Sequence, residues 1–401
     1  MTLALRTLRA HGGALEGQRV LVRVDFDVPL RGGEVGDDTR IRAALPTLKW
    51  LRDAGARVVL AAHLGNPRGR VDAALSLEPV GRRLSELLDD ELLFSDDCVG
   101  DAVKRLVMGL KPGRVLLLEN LRFHVGEERN DPGFSRQLVA HADVYVNDAF
   151  ADSHRAHASI EGAASLLPIR LAGLLVEKEV QALQRLSHQP DAPMVAVLGG
   201  EGIANRVSLL NRLVDRVDRL VLGGALACTF LAARGVDTGA SHVDTERLAN
   251  ARTLMEGAER KNVTLMLPVD HVVGSAFTPE TRPEIVDGPA IPAGKMALDI
   301  GPRTREFYAR ALEGARTVLW NGPLGVTEWD GFGEGTRAVA TAVASATRAG
   351  AFSVVTGSET AAAFRRSSLA SAVSHLSSGG EAALELFQGE TLPGLAVLTE
   401  G

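Results

Sequence analysis

The chain has 401 residues, and its 44 lysine and arginine residues against 50 aspartate and glutamate residues give a net charge of −6. This length allows two or three domains with sizeable buried cores, and a content of 45% hydrophobic and 23% charged residues excludes a disordered or fibrous chain. The slight acidity argues against nucleic acid or an anionic membrane as the main partner, so we expect neither.

Two residue types are sparse. Cys98 and Cys228 are the only cysteines and lie far apart in the sequence, so we expect neither a disulfide framework nor a zinc site. Only six of the 44 basic residues are lysine, and the other 38 are arginine. We interpret this as a general bias toward arginine, but it matters because phosphate-handling enzymes often need a lysine at one defined position.

Neither the N-terminal segment nor the longest apolar run predicts a membrane protein. The opening MTLALRTLRAHGG lacks the apolar core of a signal peptide. The longest apolar run, Val221–Ala233, is interrupted by two glycines and is too short to span a bilayer. We therefore predict a cytoplasmic protein.

In the first half of the chain, short apolar runs alternate with longer amphipathic segments. The runs rich in Val and Leu predict strands at Arg19–Phe26, Arg57–Ala62, Arg114–Leu118 and Asp143–Val146. Apolar residues at helical spacing predict helices over Ile41–Ala54, Leu77–Leu88 and Gly133–Ala142. This alternation predicts βαβ units and a parallel sheet.

The same rhythm restarts in the second half, after a segment that predicts a connecting helix over Gly173–Leu186. Further strands are predicted at Met194–Leu198, Arg219–Leu222, Val263–Leu267, Thr317–Trp320 and Phe352–Val355. The pattern therefore predicts an α/β protein with two domains of similar size.

Charged and imidazole side chains gather in the loops that follow the predicted strands of the first half. Because ligands of open parallel sheets bind beyond the carboxyl ends of the strands, these loops are where we expect a site. Guanidinium groups match carboxylate and phosphate oxygens, so the set predicts an anion site. Its members are Asp25, Asp27, Arg40, His63, Arg122, His154, Arg155 and His157.

In the second half the corresponding loops are rich in glycine, which lets a backbone approach a ligand closely. They read LGGEG (198–202), LGGA (222–225), NGPLG (321–325), TGSET (356–360) and SSGGEA (377–382). The TGSET loop leads into a predicted helix, whose N-terminal amides favour anions. Neither GxxxxGK[ST] nor GxGxxG occurs. An anion site in one domain and a nucleotide-like site in the other indicate a two-lobed phosphoryl transferase.

Several longer motifs resemble the phosphoglycerate kinase family, in order and along the whole chain. They are RVDFDVP (23–29), DDTRIRAALPTL (37–48), AHLGNPRG (62–69), LENLRFHVGEERN (118–130), VNDAFADSHRAHAS (146–159), LWNGPLGV (319–326) and SHLSSGGEAALELFQGETLPG (374–394). The resemblance implies two Rossmann-like lobes with parallel sheets, joined by a hinge helix, and a C-terminal tail that packs on the N-terminal lobe. The implied division is a substrate lobe at 1–172, an interdomain helix at 173–186, a nucleotide lobe at 187–375 and the tail at 376–401.

The resemblance also implies site residues. The 3-phosphoglycerate site would comprise Asp25, Asp27, Arg40, His63, Asn66, Arg122 and Arg155. The nucleotide pocket would comprise Gly199, Gly200, Arg206, Gly223, Gly224, Asn321, Pro323, Val326, Glu328, Gly357, Glu359 and Thr360. Arg40, Arg206 and Gly380 would act at the transferring phosphoryl group, Glu177 and His375 would form a hinge pair, and Glu359 would be associated with the Mg²⁺ that accompanies ATP or ADP.

The chain departs from the family pattern near the expected point of transfer. The motif GGAKVSDK reads GGEGIANR here (199–206), so Gly202 replaces one lysine, Arg206 replaces another and Glu201 adds a negative charge. Glu359 and Ser358 alter the loop GGGD[ST], Glu381 alters GGGA, and Asn66 and Asp27 replace an arginine and an asparagine. A charge-assisted hydrogen bond contributes about 1.5–3 kcal/mol, so the cation missing at Gly202 is the change that most affects activity.

Three functions therefore stay open at this point. The first is a working phosphoglycerate kinase, with normal or reduced activity, which makes ATP and 3-phosphoglycerate from ADP and 1,3-bisphosphoglycerate. The second is a paralogue that phosphorylates another carboxylic acid, because Asn66 and Asp27 leave a less cationic pocket. The third is a non-catalytic binding or regulatory member, because Gly202, Glu201 and Glu381 cluster where the transition state would be stabilised. The resemblance further implies a monomer with small-molecule substrates.

Overall fold

The computed structural model describes residues 3–12, 15–188, 190–203 and 206–399. The chain divides into two compact units. The first unit takes the chain up to Gln184 together with the residues from Glu381 onward, and the second unit takes Arg185–Gly380. The first unit is therefore discontinuous in sequence, whereas the second is one continuous segment.

The first unit is built on a six-stranded parallel sheet in the order β5-β6-β4-β1-β7-β8, beside a small antiparallel hairpin of β2 and β3. Its strands are β1 (Arg19–Val24), β2 (Leu30–Arg31), β3 (Glu34–Val35), β4 (Arg57–Ala61), β5 (Leu93–Phe94), β6 (Val115–Leu117), β7 (Val144–Asp148) and β8 (Ile169–Ala172). The central strands are nearly continuous apolar runs because helices cover both faces of a parallel sheet.

The helices of the first unit follow its strands along the chain. They are α1 (Leu8–His11), α2 (Thr39–Asp53), α3 (Glu78–Leu88), α4 (Asp101–Gly109), α5 (Val125–Glu128), α6 (Pro132–Val139) and α7 (Ala163–Leu166). Helix α8 (Leu174–His188) begins in the first unit and ends in the second. The apolar faces of α2 and α3 pack with β1 and β4 in one core, to which Leu48, Leu84 and Val22 belong.

The second unit has its own six-stranded parallel sheet, in the order β11-β10-β9-β15-β16-β17, and a three-stranded antiparallel sheet in the order β13-β12-β14. The strands are β9 (Met194–Leu198), β10 (Arg219–Leu222), β11 (Thr264–Met266), β12 (His271–Gly274), β13 (Glu284–Val286), β14 (Met296–Ile300), β15 (Thr317–Asn321), β16 (Phe352–Thr356) and β17 (His375–Leu376).

Helices of the second unit cover this parallel sheet, and two further helices return to the first unit. The helices of the second unit are α9 (Val207–Val214), α10 (Gly224–Ala233), α11 (Leu248–Arg260), α12 (Pro302–Leu312), α13 (Glu334–Arg348) and α14 (Ser358–Arg366). The last helices are α15 (Glu381–Gln388) and α16 (Pro393–Ala396). Trp320 and Phe364 meet edge to face in the core of the second unit, with ring centroids 5.2 Å apart.

The predicted α/β class and the alternation of strands with helices are confirmed. All nine predicted strands occur, with ends that differ by a few residues, and the predicted connecting helix is α8. The two-residue strands β2, β3, β5 and β17, the edge strand β8 and the antiparallel sheet β12–β14 were not predicted. The two-residue strands carry too few residues to show a period. Within the described residues no helix is both long and apolar enough to cross a membrane, and the run Val221–Ala233 forms the end of β10 and all of α10.

The start of α8 is anchored by a buried carboxyl group at the end of β7. Asp148 is fully buried, and its Oδ1 accepts a hydrogen bond from the backbone N–H of Leu175 (2.9 Å), while the N–H of Leu174 donates to Thr47 Oγ1 (2.9 Å). Burial raises the pKa of Asp148 to about 7. Helix α8 is therefore capped by Asp148, whose carboxyl group stays protonated at pH values well above the ordinary pKa of an aspartate.

Replacing Asp148 by asparagine should change how stability depends on pH. Between about pH 4 and pH 7 the folded chain holds a proton that the unfolded chain has released, so the free energy of unfolding falls as pH rises, by a term on the order of 4 kcal/mol. Asp148→Asn keeps an acceptor for Leu175 but does not titrate, so its stability relative to the wild type should rise from pH 4 to pH 8. Urea unfolding followed by circular dichroism measures this.

Asp143→Asn is a control of opposite sign, because hydrogen bonds from Arg19 lower the pKa of Asp143. This variant should be less stable than the wild type at neutral pH, and the difference should fade in acid. If the free energy of unfolding changed with pH in the same way for the wild type and Asp148→Asn, the assignment of the proton to Asp148 would be contradicted.

Candidate functional site

The predicted anion site of the first unit lies at the carboxyl ends of three adjacent strands, β4, β1 and β7. Asp25 follows β1 directly, His63 follows β4, and Asp152 follows β7 after a short 3-10 turn (Phe150–Asp152). Since parallel strands end at the same edge of a sheet, residues far apart in sequence come together there.

A buried guanidinium group joins these loops. Arg23, in β1, is 1% exposed. It donates hydrogen bonds to His63 Nδ1 (3.0 Å), Asp152 Oδ2 (3.1 Å) and Ser159 Oγ (2.9 Å). Burial alone would raise the pKa of Asp152, but the guanidinium groups of Arg23 and Arg122 hold it well below its ordinary value. Asp152 is thus the carboxylate that compensates the buried charge of Arg23.

The contact with Arg23 also determines the protonation of His63. A guanidinium can only donate, so His63 Nδ1 must accept and the ring proton lies on Nε2. Burial, together with the charges of Arg23 and Arg122, lowers the pKa of His63 to about 3. The imidazole is therefore neutral at physiological pH, with its N–H 3.8 Å from Asp27 Oδ2.

Asp25, Asp27 and Arg40 form the second contact set of this site. Arg40 Nη1 donates to Asp25 Oδ2 (2.5 Å), and the N–H of Asp27 donates to Asp25 Oδ1 (3.1 Å). Asp27 Oδ1 accepts from the N–H of Gly65 (2.8 Å), which places this side chain against the loop after β4. Burial and the charge of Asp152 raise the pKa of Asp25 despite its contact with Arg40.

Arg122 and Arg155 add positive charge at the same edge. Arg122 Nη1 donates to the carbonyl oxygen of Gly65 (2.9 Å), while its buried Nε has no hydrogen-bond partner in the structure. Arg155 is exposed, and its Nε donates to His154 Nε2 (3.3 Å). Asn66 is exposed beside Gly65. A buried donor without a partner and an exposed arginine are what an anionic ligand would satisfy.

His157 is buried behind these arginines. Burial, followed by the charges of Arg122 and Arg23, lowers its pKa to about 4, so this imidazole is also neutral. His157 Nδ1 lies 3.9 Å from Glu127 Oε1. The predicted residues are therefore brought to one edge of the sheet, where the two buried imidazoles of His63 and His157 are neutral and arginine side chains supply positive charge.

The second unit contains a pocket of about 1000 Å³ at the carboxyl ends of its strands. Several predicted nucleotide residues line it, namely Gly200, Gly224, Pro323, Val326, Glu328 and Glu359. The others adjoin these lining residues: Gly199, Gly223 and Gly357 lie in loops, Arg206 directly precedes α9, Asn321 ends β15 and Thr360 lies in α14. Among its described lining residues there are five carboxylates and neither lysine nor arginine.

The glycine loops of this pocket pack backbone against backbone. A Cβ on Gly199 would lie 2.0 Å from the carbonyl oxygen of Pro323, so the loops after β9 and β15 meet at a distance that only glycine allows. The N–H of Gly199 donates to the carbonyl of Asn321 (2.9 Å), and the N–H of Gly322 donates to Thr360 Oγ1 (2.8 Å). These contacts place the loops after β9, β15 and β16 around one space.

The two positions at which the family motif has lysine, 206 and 202, differ in their contacts. Arg206 precedes α9, and its Nη1 donates to the carbonyl oxygen of Gly199, so its guanidinium braces the glycine loop. Gly202 lines the pocket, and the nearest atoms to a Cβ built there are Asp244 Oδ2 and His242 Nε2, both at 3.7 Å. Position 202 therefore has room for a side chain and lacks one. Ala204 and Asn205 lie outside the described residues.

Three carboxylates gather at the pocket lining near α14. Glu201, Glu328 and Glu359 are all exposed side chains that line the pocket. Burial raises the pKa of Glu359, and the negative charges of Glu328 and Glu201 raise it further. Glu201 therefore faces the same space as Glu359 and adds negative charge to it.

The remaining predicted residues are close in sequence to the points where the chain passes from one unit to the other. Glu177, in α8, forms an ion pair with Arg9 (3.2 Å), and His375 is the buried first residue of β17. Gly380 has a φ of +52° and directly precedes α15. Glu381 is 72% exposed at its side chain, and its Oε2 lies 3.8 Å from His154 Nε2.

Sequence reasoning missed two residues of the first site. Arg23 and Asp152 form its central buried ion pair, yet neither was singled out. An arginine inside the apolar run RVLVRVDF was the available signal, because a charge within a buried strand requires a partner. Asp152 lies 129 residues further along and gives no comparable local signal.

An arginine-rich anion site in one parallel-sheet unit and a glycine-walled pocket in the other define a phosphotransferase of the two-unit α/β class. A model of the family described as phosphoglycerate kinase matches residues 11–390. The chain is 49% identical to a phosphoglycerate kinase of Moorella thermoacetica (96% of this chain, 97% of the relative) and 48% identical to one of Acaryochloris marina (96% of each).

A solved structure of phosphoglycerate kinase from Coxiella burnetii superimposes with a TM-score of 0.84 at 38% identity, covering 96% of both chains. The chain belongs to the phosphoglycerate kinase family. It is thus a kinase of this type, and the family uses ATP or ADP and a small-molecule phosphoglycerate.

A matched pair of glycine substitutions tests the pocket. Gly199→Ala must push the loop after β15 away, since the added carbon would overlap Pro323. Overpacking of this kind costs about 1–3 kcal/mol. Because about 1.4 kcal/mol corresponds to a tenfold change in affinity, we expect nucleotide affinity to fall about tenfold or more. Gly202→Ala adds a methyl group at ordinary van der Waals distance from its nearest neighbours, at 3.7 Å, and should leave affinity within about twofold. Calorimetric titration with ADP compares the two, and equal affinities would refute the close approach.

Proposed function

We propose that this chain catalyses reversible phosphoryl transfer between 1,3-bisphosphoglycerate and ADP, giving 3-phosphoglycerate and ATP. The observation that carries the proposal is the convergence of Arg40, Arg122 and Arg155 at the strand ends of the first unit. A phosphate and a carboxylate on one small molecule would satisfy these guanidinium groups. The family matches over 96% of the chain do not favour the paralogue or the non-catalytic alternative.

In this proposal the first unit binds the phosphoglycerate. Arg122 and Arg155 hold the phosphate, and the neutral His63 and the polar Asn66 contact the acid from the loop after β4. Asp25 positions Arg40 through the 2.5 Å contact, and Asp27 fixes the loop through Gly65. Arg40 stabilises the charge on the transferring phosphoryl group, since catalysis of such transfers is mainly positioning and electrostatics.

The second unit binds ADP or ATP in its pocket. The loops at Gly199, Gly200, Gly223 and Gly224 accept the nucleotide closely, with Asn321, Pro323 and Val326 opposite them and Glu328 at the ribose. Gly357 and Thr360 bring the N-terminus of α14 to the phosphates. Arg206 keeps the loop at Gly199 in place and adds positive charge.

Mg²⁺ accompanies the nucleotide in this proposal, and the donors present fit it. Glu359 and its neighbours Glu201 and Glu328 are oxygen donors, which is the ligand type that Mg²⁺ prefers. Bound Mg²⁺ would neutralise nucleotide phosphate charge, and Glu359 would hold it. This matters because the described pocket lining has no lysine or arginine of its own.

The remaining assignments extend the proposal to the whole chain. The substrate lobe is 1–172, the interdomain helix 173–186, the nucleotide lobe 187–375 and the returning tail 376–401. Glu177 and His375 act as a hinge pair, and Gly380 supplies a backbone N–H at the transferring phosphoryl group. The protein works as a cytoplasmic monomer.

A coupled assay with ATP, Mg²⁺ and 3-phosphoglycerate tests the function. Turnover within about tenfold of the usual kinase range of 1–100 s⁻¹ supports it. A folded protein without turnover would refute it.

Arg40→Lys tests the catalytic arginine while keeping a positive charge beside Asp25. A lysine cannot offer the guanidinium fork, and a cation at this transition state contributes about 10³–10⁵ in rate, so we expect kcat to fall at least about 10²-fold with little change in KM for ATP. Arg42→Lys is the matched control, because Arg42 pairs with Asp38 on the exposed side of α2. Equal losses in both variants would assign the effect to α2 rather than to the site.

Gly202→Lys combined with Glu201→Ala tests the missing cation. The space at position 202 accepts a side chain, so the lysine can extend into the pocket without backbone strain. We expect the rate to rise about 10-fold or more, because one charge-assisted contact is added and one repulsive charge is removed. Gly202→Ala with Glu201→Ala separates the two contributions. Unchanged or lower activity would show that position 202 does not face the transferring phosphate.

A further inference from the structure

Three side chains with metal-binding atoms meet at the edge of the first sheet. Asp97 and Cys98 follow the edge strand β5, and His124 follows the 3-10 turn after the neighbouring strand β6. A carboxylate oxygen, the thiol sulfur and an imidazole nitrogen all lie within 4.8 Å of one another. None of the three is used in the proposed phosphoryl transfer.

The three donors are held in place by separate contacts. His124 Nε2 and Asp97 Oδ1 are 2.8 Å apart, and the N–H of Cys98 donates to the same oxygen at 2.6 Å. The His124 ring stacks on Phe134, with centroids 5.1 Å apart. The thiol is 2% exposed, whereas the side chains of His124 and Asp97 are 33% and 49% exposed. The cluster is therefore open to solvent on the side of the imidazole and carboxylate.

Asp97 supplies the negative charge of the cluster. Within the described parts of the chain its carboxylate has His124 as its ion-pair partner and pairs with no lysine or arginine. A divalent cation would therefore meet a carboxylate whose charge no lysine or arginine neutralises.

We propose that Asp97, Cys98 and His124 bind a divalent transition-metal ion such as Zn²⁺. Thiolate, imidazole and carboxylate are its ligand types, and three protein ligands leave a fourth tetrahedral position for water. The sulfur ligand disfavours Mg²⁺ and Ca²⁺, which require oxygen. Binding replaces the thiol proton, which passes to solvent. The ion joins the loop after β5 to the loop that carries Arg122 two residues before His124.

This proposal departs from the expectation that the chain has no zinc site. That expectation counted cysteines alone, whereas the cluster uses one cysteine and takes its imidazole from a position 26 residues later, on the neighbouring strand's loop. These three residues do not follow any sequence spacing that is typical of a metal site, so their proximity is apparent only from the order of the strands in the sheet.

Co²⁺ is the probe, because a thiolate ligand gives it a charge-transfer band in the near ultraviolet. The full chain, freed of metal with a chelator, is titrated with Co²⁺ and then with Zn²⁺. We expect one equivalent of Co²⁺ to produce the band, Zn²⁺ to abolish it, and excess Mg²⁺ to leave it unchanged. Cys98→Ser should remove the band and His124→Gln should weaken Co²⁺ binding at least about tenfold.

Cys228→Ser is the matched control, because Cys228 is the other buried thiol. This variant should keep the band. Circular dichroism confirms that each variant is folded, and native mass spectrometry counts bound Zn²⁺ independently of absorption. The absence of any band and of bound Zn²⁺ in the wild type overturns the proposal, as does a band that depends on Cys228 and not on Cys98.

Discussion

The ion pair between Arg23 and Asp152 is the interaction on which the first site depends. A guanidinium with 1% exposure in the middle of a sheet is tolerated only if every donor finds a partner. Its partners are His63 from the loop after β4 and Asp152 and Ser159 from the connection between β7 and β8, so these two segments must converge on β1. The protonation of His63 follows from that convergence, because the buried guanidinium of Arg23 donates to its Nδ1. A buried charge thus determines the chemistry of the buried imidazole beside it.

In the second unit, contacts between backbone atoms bring the loops together, where the first unit uses a buried ion pair. Its loops after β9 and β15 touch at Gly199 and Pro323, where no side chain intervenes. Arg206 supports this contact from one side by donating to the Gly199 carbonyl. The pocket walls are therefore closely packed backbone, whereas three of its five carboxylates, Glu201, Glu328 and Glu359, are exposed side chains. The glycine loops thus determine the shape of the pocket, and exposed carboxylates contribute its charge.

Much of this architecture was predictable from the sequence, and the limits have physical causes. The runs at Met194–Leu198 and Arg219–Leu222 are buried on both faces, so their composition alone predicted the strands with the correct ends. The gathering of Arg40, His63 and Arg122 followed from the rule that strand ends meet at one edge. Contacts between distant segments were not predictable, because no periodicity relates Arg23 to Asp152.

The orientation of single side chains was also beyond the sequence. Gly202 was recognised as a missing cation from the motif that surrounds it, but the room beside Asp244 and His242 became visible only in three dimensions. Asp97 and His124 were passed over because each is an ordinary polar residue in its own loop. Their proximity depends on the pairing of β5 with β6, which involves only two residues of each strand.

The discontinuity of the first unit has a consequence for biosynthesis. Asn147 Nδ2 donates to the carbonyl of Gly394 (3.0 Å), and the N–H of Arg6 donates to the carbonyl of Leu398 (2.9 Å). These partners are synthesised after the second unit, which is continuous and has all its strands before α15. The first unit is therefore begun before the second unit and completed after it, and the nascent first unit must remain unaggregated while the second folds.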